Sequence, residues 1–236
     1  MFFDQSVYDI RCEWGEKGIS VLAPVCDILV IVDVLSFSTS LDIAVNKNAT
    51  VYPYSWKDER VYAYAEEMRA EVADRQNSNG FSLSPGSLVN LPDKARLVLP
   101  SPNGSTITLA AGSTPVLAGC FRNCRAVAES VMTVGRKIGV VPAGERWDDN
   151  SLRPCFEDLA GAGAIITHLE GTLSPEAEVA KILFENCRDS LIEKLRNCGS
   201  GKEKIAKGEA RDIDLAAELD VSECVPFYSD GAYSRK

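Results

Sequence analysis

Residues 26–45 read CDILVIVDVLSFSTSLDIAV. From Cys26 to Val34 the run is almost unbroken in apolar, largely β-branched residues, the composition of a central strand covered on both faces. Asp33 stands at its carboxyl end. Ser36, Ser38, Thr39 and Ser40 then lead into an amphipathic helix through about Asn46. A buried strand feeding directly into a helix is the building unit of an α/β fold. The hydroxyls can serve as helix caps. Placed directly after an acid, they also form a plausible cradle for phosphate.

Working outward, the same alternation recurs. A strand is expected near Val7–Glu13, followed by a turn around Gly15 and Gly18. Thr50–Tyr54 reads as a strand and Lys57–Ala73 as a helix. Residues 74–93 are rich in Gly, Pro, Ser and Asn, long enough for a lid or a subunit contact. Arg96–Leu99 is a short strand that ends in PSPNGST, where Asn103-Gly104 makes a tight turn and Ser105 and Thr106 open a helix. Val116–Ala118 is followed by GCFRNC and a helix over Arg125–Met132. Ile138–Val141 stops at Pro142 and Gly144, and Glu145 and Arg146 follow at once. After a polar loop holding Trp147, Asp148, Asp149 and Arg153, the carboxylates Glu157 and Asp158 open an Ala/Gly-rich helix. Glu176–Leu195 reads as one long amphipathic helix. Ser200 and Glu203 are spaced as a capping box, and short helices fit Lys202–Lys207 and Asp212–Leu219. Val225–Tyr228 is expected at a sheet edge. The pattern indicates a three-layer α/β/α sandwich with a largely parallel or mixed sheet. It forms one domain over residues 1–236, or two closely joined lobes.

With 236 residues, a net charge of −9 and no basic stripe, the chain is a poor nucleic-acid platform, though a small anion in a locally basic pocket fits. The longest apolar run, Val25–Leu35, contains Asp27 and Asp33 and is too short to span a bilayer. The opening MFFDQSVYDIR acquires acids immediately and lacks a signal-peptide pattern. Eight cysteines with no CxxC pair point to reduced thiols and a cytoplasmic setting.

Ligands in open α/β sheets gather outside the carboxyl ends of the strands. Asp33, Asn103, Arg122 or Asn123, and Glu145 all fall at such ends. Several phosphate chemistries are excluded by inspection. Gly199-Ser-Gly201-Lys202 lacks the first glycine of a Walker loop and is followed by Glu203. No cysteine has Arg six positions later, as a cysteine phosphatase requires. His168, the single histidine, lies in an apolar helical run, and no zinc-type cluster is present. Oxygen chemistry remains. Asp33, Glu145, Glu157 and Asp158 are candidate ligands for Mg²⁺, which prefers hard donors. Arg146 and Arg153 would steady phosphoryl oxygens. Metal-bound water is preferred as nucleophile over Asp33, because the DxDx[TV] signature is missing: residue 35 is Leu.

VDVLSFSTS, LPSPNGST, GCFRNCRAVAES, AGERWDDNSLRPCFEDLAGAGA and SGKEKIAKGEARDIDLAAELDVSECVP, with YDIRCEWG near the start, together resemble the 2-phosphosulfolactate phosphatase family over nearly the whole chain. The resemblance implies a Mg²⁺-dependent phosphatase converting 2-phospho-3-sulfolactate to 3-sulfolactate and phosphate, a step of coenzyme M biosynthesis. It also implies an α/β/α fold and homo-oligomers, a dimer being the simplest. By position, Asp33, the Asn103-Gly104-Ser105 segment, Asn123, Glu145, Glu157 and Asp158 match the family's segments. Two departures stand out. Ser36 occupies the place of an arginine after Asp-Val-Leu, and Ala73-Asp-Arg75-Gln replaces a GERGG-like segment.

The expected activity is therefore a cytoplasmic Mg²⁺-dependent phosphomonoesterase acting on a small anionic organic phosphate. Catalysis would involve Asp33, Glu145, Arg146 and Asp158. Phosphate would lie over Ser38, Thr39, Asn103, Gly104, Ser105, Asn123 and Arg153. The alternative is a non-catalytic binder of phosphorylated metabolites on the same scaffold. Metal-dependent phosphate release separates the two.

Overall fold

The computed structural model describes residues 3–55, 58–74 and 80–236. In chain order, β1 (Ile10–Cys12) is followed by α1 (Gly15–Leu22), β2 (Ile28–Val32), α2 (Phe37–Asn46), β3 (Thr50–Tyr54), α3 (Arg60–Glu67) and β4 (Glu71–Val72). Next come α4 (Pro85–Leu88), β5 (Arg96–Pro100), α5 (Gly104–Leu109), β6 (Val116–Ala118), α6 (Cys124–Met132) and β7 (Ile138–Pro142). A two-residue ribbon, β8 (Glu145–Arg146) with β9 (Leu152–Arg153), precedes α7 (Phe156–Ile166) and α8 (Pro175–Cys187). The chain closes with α9 (Leu191–Asn197), α10 (Gly199–Ala206), α11 (Ala210–Ala216), β10 (Pro226–Ser229) and β11 (Ala232–Arg235).

Nine strands form one mixed sheet in the order β1-β7-β2-β6-β10-β11-β3-β5-β4. β1, β7, β2 and β6 are mutually parallel, with Ile138 opposite both Ile10 and Ile28. β3, β5 and β4 form a second parallel block. The β10–β11 hairpin joins the blocks through antiparallel pairings, so the two blocks run in opposite directions.

All five residues of β2 are fully buried, and their alternation divides the core. Ile28, Val30 and Val32 face α6, α7 and α8, whereas Leu29 and Ile31 face Phe37 and Leu41 of α2 and Ile107 of α5. A β-branched or Leu side chain buried this way contributes about 1.5–3 kcal/mol. Val51, Leu97 and Leu99 of the second block share the α2–α5 core, so the sheet curls around these two helices. On its outer face, Tyr52 and Val98 pack against Val61 and Ala65 of α3. The α/β sandwich expected from the sequence is therefore present, with the second block folded over one helical layer.

The Ala/Gly run of α7 has a packing cause. A Cβ on Gly163 would lie 2.0 Å from the Ala180 carbonyl oxygen, so α7 and α8 touch backbone to backbone. That contact fixes the first turn of α7, with Glu157 and Asp158, over the β2 and β7 exits.

Several expectations are corrected. The turn after β1 is the helix α1, whose buried Gly15, Gly18, Ile19 and Leu22 recur at helical spacing. The helix expected over Lys57–Ala73 covers Arg60–Glu67, then gives way to β4; Lys57 itself lies outside the described residues. The long helix breaks at a 3₁₀ turn, Arg188–Ser190, between α8 and α9. α10 starts earlier than expected, and the Cys198 thiol, not Ser200, caps it by accepting from the Gly201 amide. The strand expected at an edge is internal, paired with β6 and β11. In the 74–93 segment, residues 75–79 lie outside the described residues, so Arg75 and Gln76 are not placed. The remainder is fastened to the body: Ser40 Oγ donates to the Leu83 carbonyl (2.7 Å), and Ser84 Oγ donates to Asp212 Oδ1 (2.6 Å). Among the described residues no helix is long and apolar enough to cross a membrane.

Candidate active site

Three strand exits are tied together by side chains. Leaving β2, Asp33 accepts the Phe37 amide at Oδ1 (3.2 Å) and the Gly104 amide at Oδ2 (2.9 Å), joining the β2 and β5 exits. Asp158 accepts the Val34 amide at Oδ1 and the Gly144 amide at Oδ2, both at 2.8 Å, joining the β2 and β7 exits. Asn103 Nδ2 donates to Glu145 Oε1 (2.8 Å), joining the β5 and β7 exits and closing a ring. Each carboxylate arrives from a different element, and the backbone amides orient it.

The ring is rich in buried negative charge. Asp33 is 7%, Asp158 4% and Glu157 3% exposed. Among the described residues none of these three, nor Glu145, takes part in an ion pair. Burial pushes the Asp33 carboxyl up to about 6, and the nearby Glu145 and Glu157 charges add to the rise against the two amide bonds. Burial, then Asp33 and Glu157, also raise Asp158 well above the usual carboxylate range. These groups repel one another in a poorly solvated place, which favours either a shared proton or a bound cation. Among the described residues no three metal-binding side chains stand together as a ready-made metal cluster.

Beside the ring lies a cleft of about 270 Å³. Asn103 and Glu145 form its boundary with the carboxylates. Trp14, Ile107 and Leu152 supply apolar wall, and Lys17 and Arg146 supply positive charge. Arg146 pairs through Nη2 with Glu16 and donates through Nη1 to the Asn150 carbonyl (3.3 Å). Its Nε is buried and has no hydrogen-bond partner.

The structure thus brings Asp33, Asn103, Gly104, Glu145, Arg146, Glu157 and Asp158 to one region. The expected hydroxyl cradle is arranged differently. Ser38 Oγ accepts the Asp33 amide (2.9 Å) and donates to the Ile31 carbonyl (3.2 Å). Thr39 Oγ1 donates to the Val34 carbonyl (2.8 Å) and Ser105 Oγ to the Leu99 carbonyl (3.0 Å). All three side chains are fully buried, so these hydroxyls fix the strand-to-helix turns. Ser36 Oγ, buried in the same turn, has no partner among the described residues.

Asn123 is not brought to the cleft. Its Oδ1 accepts the Cys120 amide (2.9 Å) and its Nδ2 donates to the Cys224 carbonyl (3.0 Å), fastening the β6 exit to the C-terminal segment. Arg122, next to it, binds buried Asp42 at 2.7 Å. Arg153 stacks over Trp147 at 5.7 Å and reaches Ser200 Oγ (3.5 Å), turned towards α10. Glu157 lies beside the Cys198 thiol, whose acidity burial and that carboxylate reduce, raising it to about 12. His168 follows the far end of α7, about 16 Å along the helix from the carboxylates. All eight cysteines are free.

Sequence inspection missed Trp14, Lys17 and Leu152. The signal was available for the first two, because they directly follow β1, another strand exit in the same parallel block.

A family model described as 2-phosphosulpholactate phosphatase matches residues 20–231. A protein named probable 2-phosphosulfolactate phosphatase from Carboxydothermus hydrogenoformans is 29% identical over 207 residues, covering 84% of each chain. One of the same name from Pseudothermotoga lettingae is 25% identical over 219 residues, covering 89% of this chain and 92% of its own.

Proposed function

The chain belongs to the 2-phosphosulpholactate phosphatase family, and on that premise we propose that it is a Mg²⁺-dependent phosphomonoesterase of small polyanionic esters. Its named substrate is 2-phospho-3-sulfolactate, hydrolysed to 3-sulfolactate and phosphate. The observation that carries this proposal is the ring of carboxylates at the exits of β2, β5 and β7, which has no ion-pair partner among the described residues.

The donor set fits magnesium. Carboxylate oxygens are the hard ligands it prefers, and a bound cation would relieve the repulsion that raises Asp33 and Asp158. Magnesium keeps several waters and is commonly held by one or two carboxylates together with substrate phosphate, so a complete protein cage is not required. Asp33 and Asp158 would hold it, with Glu145 alongside. When bound, the ion neutralises phosphoryl charge and orients water.

The chain's own groups supply the rest. Glu145 Oε1 is held by Asn103 Nδ2 and the Arg146 amide (3.0 Å). Its Oε2 accepts no hydrogen bond among the described residues and is placed to act as a general base on water. The water oxygen bonds to phosphorus as the ester P–O bond breaks. Glu145 takes the proton from water and delivers it to the departing alkoxide oxygen. Asp33 is disfavoured as the nucleophile because the DxDx[TV] signature is missing, residue 35 being Leu. The apolar walls of the cleft exclude bulk water and strengthen these polar contacts.

Phosphate release from 2-phosphosulfolactate and from a panel of small phosphoesters, with Mg²⁺ and with EDTA, tests the assignment. Turnover should require Mg²⁺, and Glu145→Gln and Asp158→Asn should each lower it at least about 100-fold. Full activity in both variants, or in EDTA, would overturn it. Binding without turnover would leave a metabolite-binding protein. We place the protein in the cytoplasm, in keeping with eight free thiols, and as a homo-oligomer, which light scattering will test.

A further inference from the structure

We propose that the cleft beside Glu145 is a specificity subsite in which Lys17 and Arg146 Nε bind a second anionic group, a sulfonate or carboxylate, of the molecule being hydrolysed. The inference rests on the phosphatase assignment only for placing the phosphoryl group at the carboxylates.

Four observations converge. Arg146 Nε is a charged donor buried in the structure without a partner, in a residue that lines the cleft. Buried donors are almost always paired, and this N–H has no acceptor among the described residues. Lys17 lines the same cleft and has no ion-pair partner among the described residues. Glu16, its neighbour in sequence, grips Arg146 Nη2, which places the two cations on the α1 side. The carboxylates occupy the opposite side, beyond the Asn103–Glu145 bond. Glu16, which pairs with Arg146, and Glu145 also line the cleft, so Lys17 is the lining cation without a carboxylate partner among the described residues and is open to a ligand's second anionic end.

Size narrows the ligand class. At about 270 Å³ the cleft is of a size for a small ligand. Ile107, Leu152 and Trp14 offer apolar contact for a short carbon chain between the two ends. The ligand class is a small organic phosphate that carries a second anionic group.

The test compares 2-phosphosulfolactate, 2-phospholactate and 2-propyl phosphate as substrates of the wild-type protein, Lys17→Met and Arg146→Lys. Arg146→Lys keeps the charge that pairs with Glu16 but lacks Nε. The ratio of kcat/KM for each acid-bearing ester to that for 2-propyl phosphate should fall about 10- to 100-fold in each variant, chiefly through KM, the loss expected for one charge-assisted hydrogen bond. Whichever acid ester shows the larger fall identifies the group that is read. Calorimetry with 3-sulfolactate, which carries no phosphate, should show binding to the wild type that weakens at least tenfold in Lys17→Met. Phosphate release with unchanged ratios in both variants would refute the subsite and leave the phosphatase standing. Silence towards all esters, with 3-sulfolactate binding that depends on Lys17, would do the reverse. No 3-sulfolactate binding by the wild type would also overturn the subsite.

Discussion

Metal-free protein should grow more stable as pH falls from 7.5 to 5, which is opposite to the usual behaviour of a protein stabilised by ionised, paired carboxylates. Asp33 is raised from its ordinary value of 3.8 to about 6 by burial and by Glu145 and Glu157. A carboxyl raised on folding binds protons more tightly in the native state, so it destabilises the fold wherever it must ionise. That contribution is fully present above pH 7. It shrinks as pH falls through 6 and disappears below the unfolded value near 4. The shift corresponds to about 3 kcal/mol at pH 7. About half of it, roughly 1.5 kcal/mol, is relieved between pH 7.5 and 5, a rise of about 3–6 °C in Tm for a chain of this size. Asp158, raised in the same direction, adds to it. Mg²⁺ at pH 7.5 should replace the proton as counter-charge, stabilising by about 1.4 kcal/mol at tenfold excess over Kd. Differential scanning calorimetry from pH 4 to 8, with EDTA or Mg²⁺, measures both effects. The chain's net charge of −9 also relaxes on acidification, so the decisive comparison is with Asp33→Asn, which should flatten the pH slope and lose the Mg²⁺ increment. Metal-free stability that is level or falling between pH 7.5 and 5, or an Asp33→Asn slope equal to wild type, would refute the reasoning.

Gly104→Ala should lower Tm and activity together. The new Cβ would stand 2.2 Å from Phe37 Cδ1, in the turn whose amide holds Asp33 Oδ2, and such overpacking costs about 1–3 kcal/mol. Arg122→Met should cost about 3–5 kcal/mol in urea denaturation, because it leaves fully buried Asp42 with only Ser222 Oγ at 2.6 Å. Adding Asp42→Asn should recover part of that loss, and no recovery would argue against an uncompensated charge. Ser36→Ala should raise Tm, since the buried hydroxyl has no partner and an unmet polar group costs about 1–3 kcal/mol. An unchanged or lower Tm would mean that the hydroxyl has a role the fold needs.

The strand exits were legible in the sequence because their cause is local. The nine-residue, largely apolar run Cys26–Val34, with Asp33 near its carboxyl end, implies a buried strand whose polar exit faces solvent or ligand, and β2 occupies the middle of that run. The Ala/Gly stretch after Asp158 likewise announced a closely packed helix. The long-range ties were not legible. Asp158 meets the Val34 amide across 124 residues, and no spacing rule connects them. The sequence names the carboxylates as a set of ligands, but only the fold shows that burial and mutual repulsion raise Asp33 and Asp158.

The hydroxyls mark the limit of motif logic most clearly. Ser38, Thr39 and Ser105 sit where a phosphate cradle is expected, yet each finds a backbone carbonyl of the preceding strand or turn within reach. A hydroxyl in the first turn of a helix that follows a short, sharp strand exit has such a carbonyl close by, and it takes that acceptor unless a ligand competes. Longer side chains escape this fate. Asn103 and Arg146 extend beyond their own turns, so they can bridge elements or line a cleft. The same physical reasoning accounts for Lys17. It is one residue in a short helix after β1 and belongs to no phosphate motif. Only the fold shows that α1 brings it to the wall of the cleft that Asn103 and Glu145 also line. Reach therefore divides the side chains at these exits: short hydroxyls close onto the turns that carry them, and long side chains from neighbouring exits line the cleft.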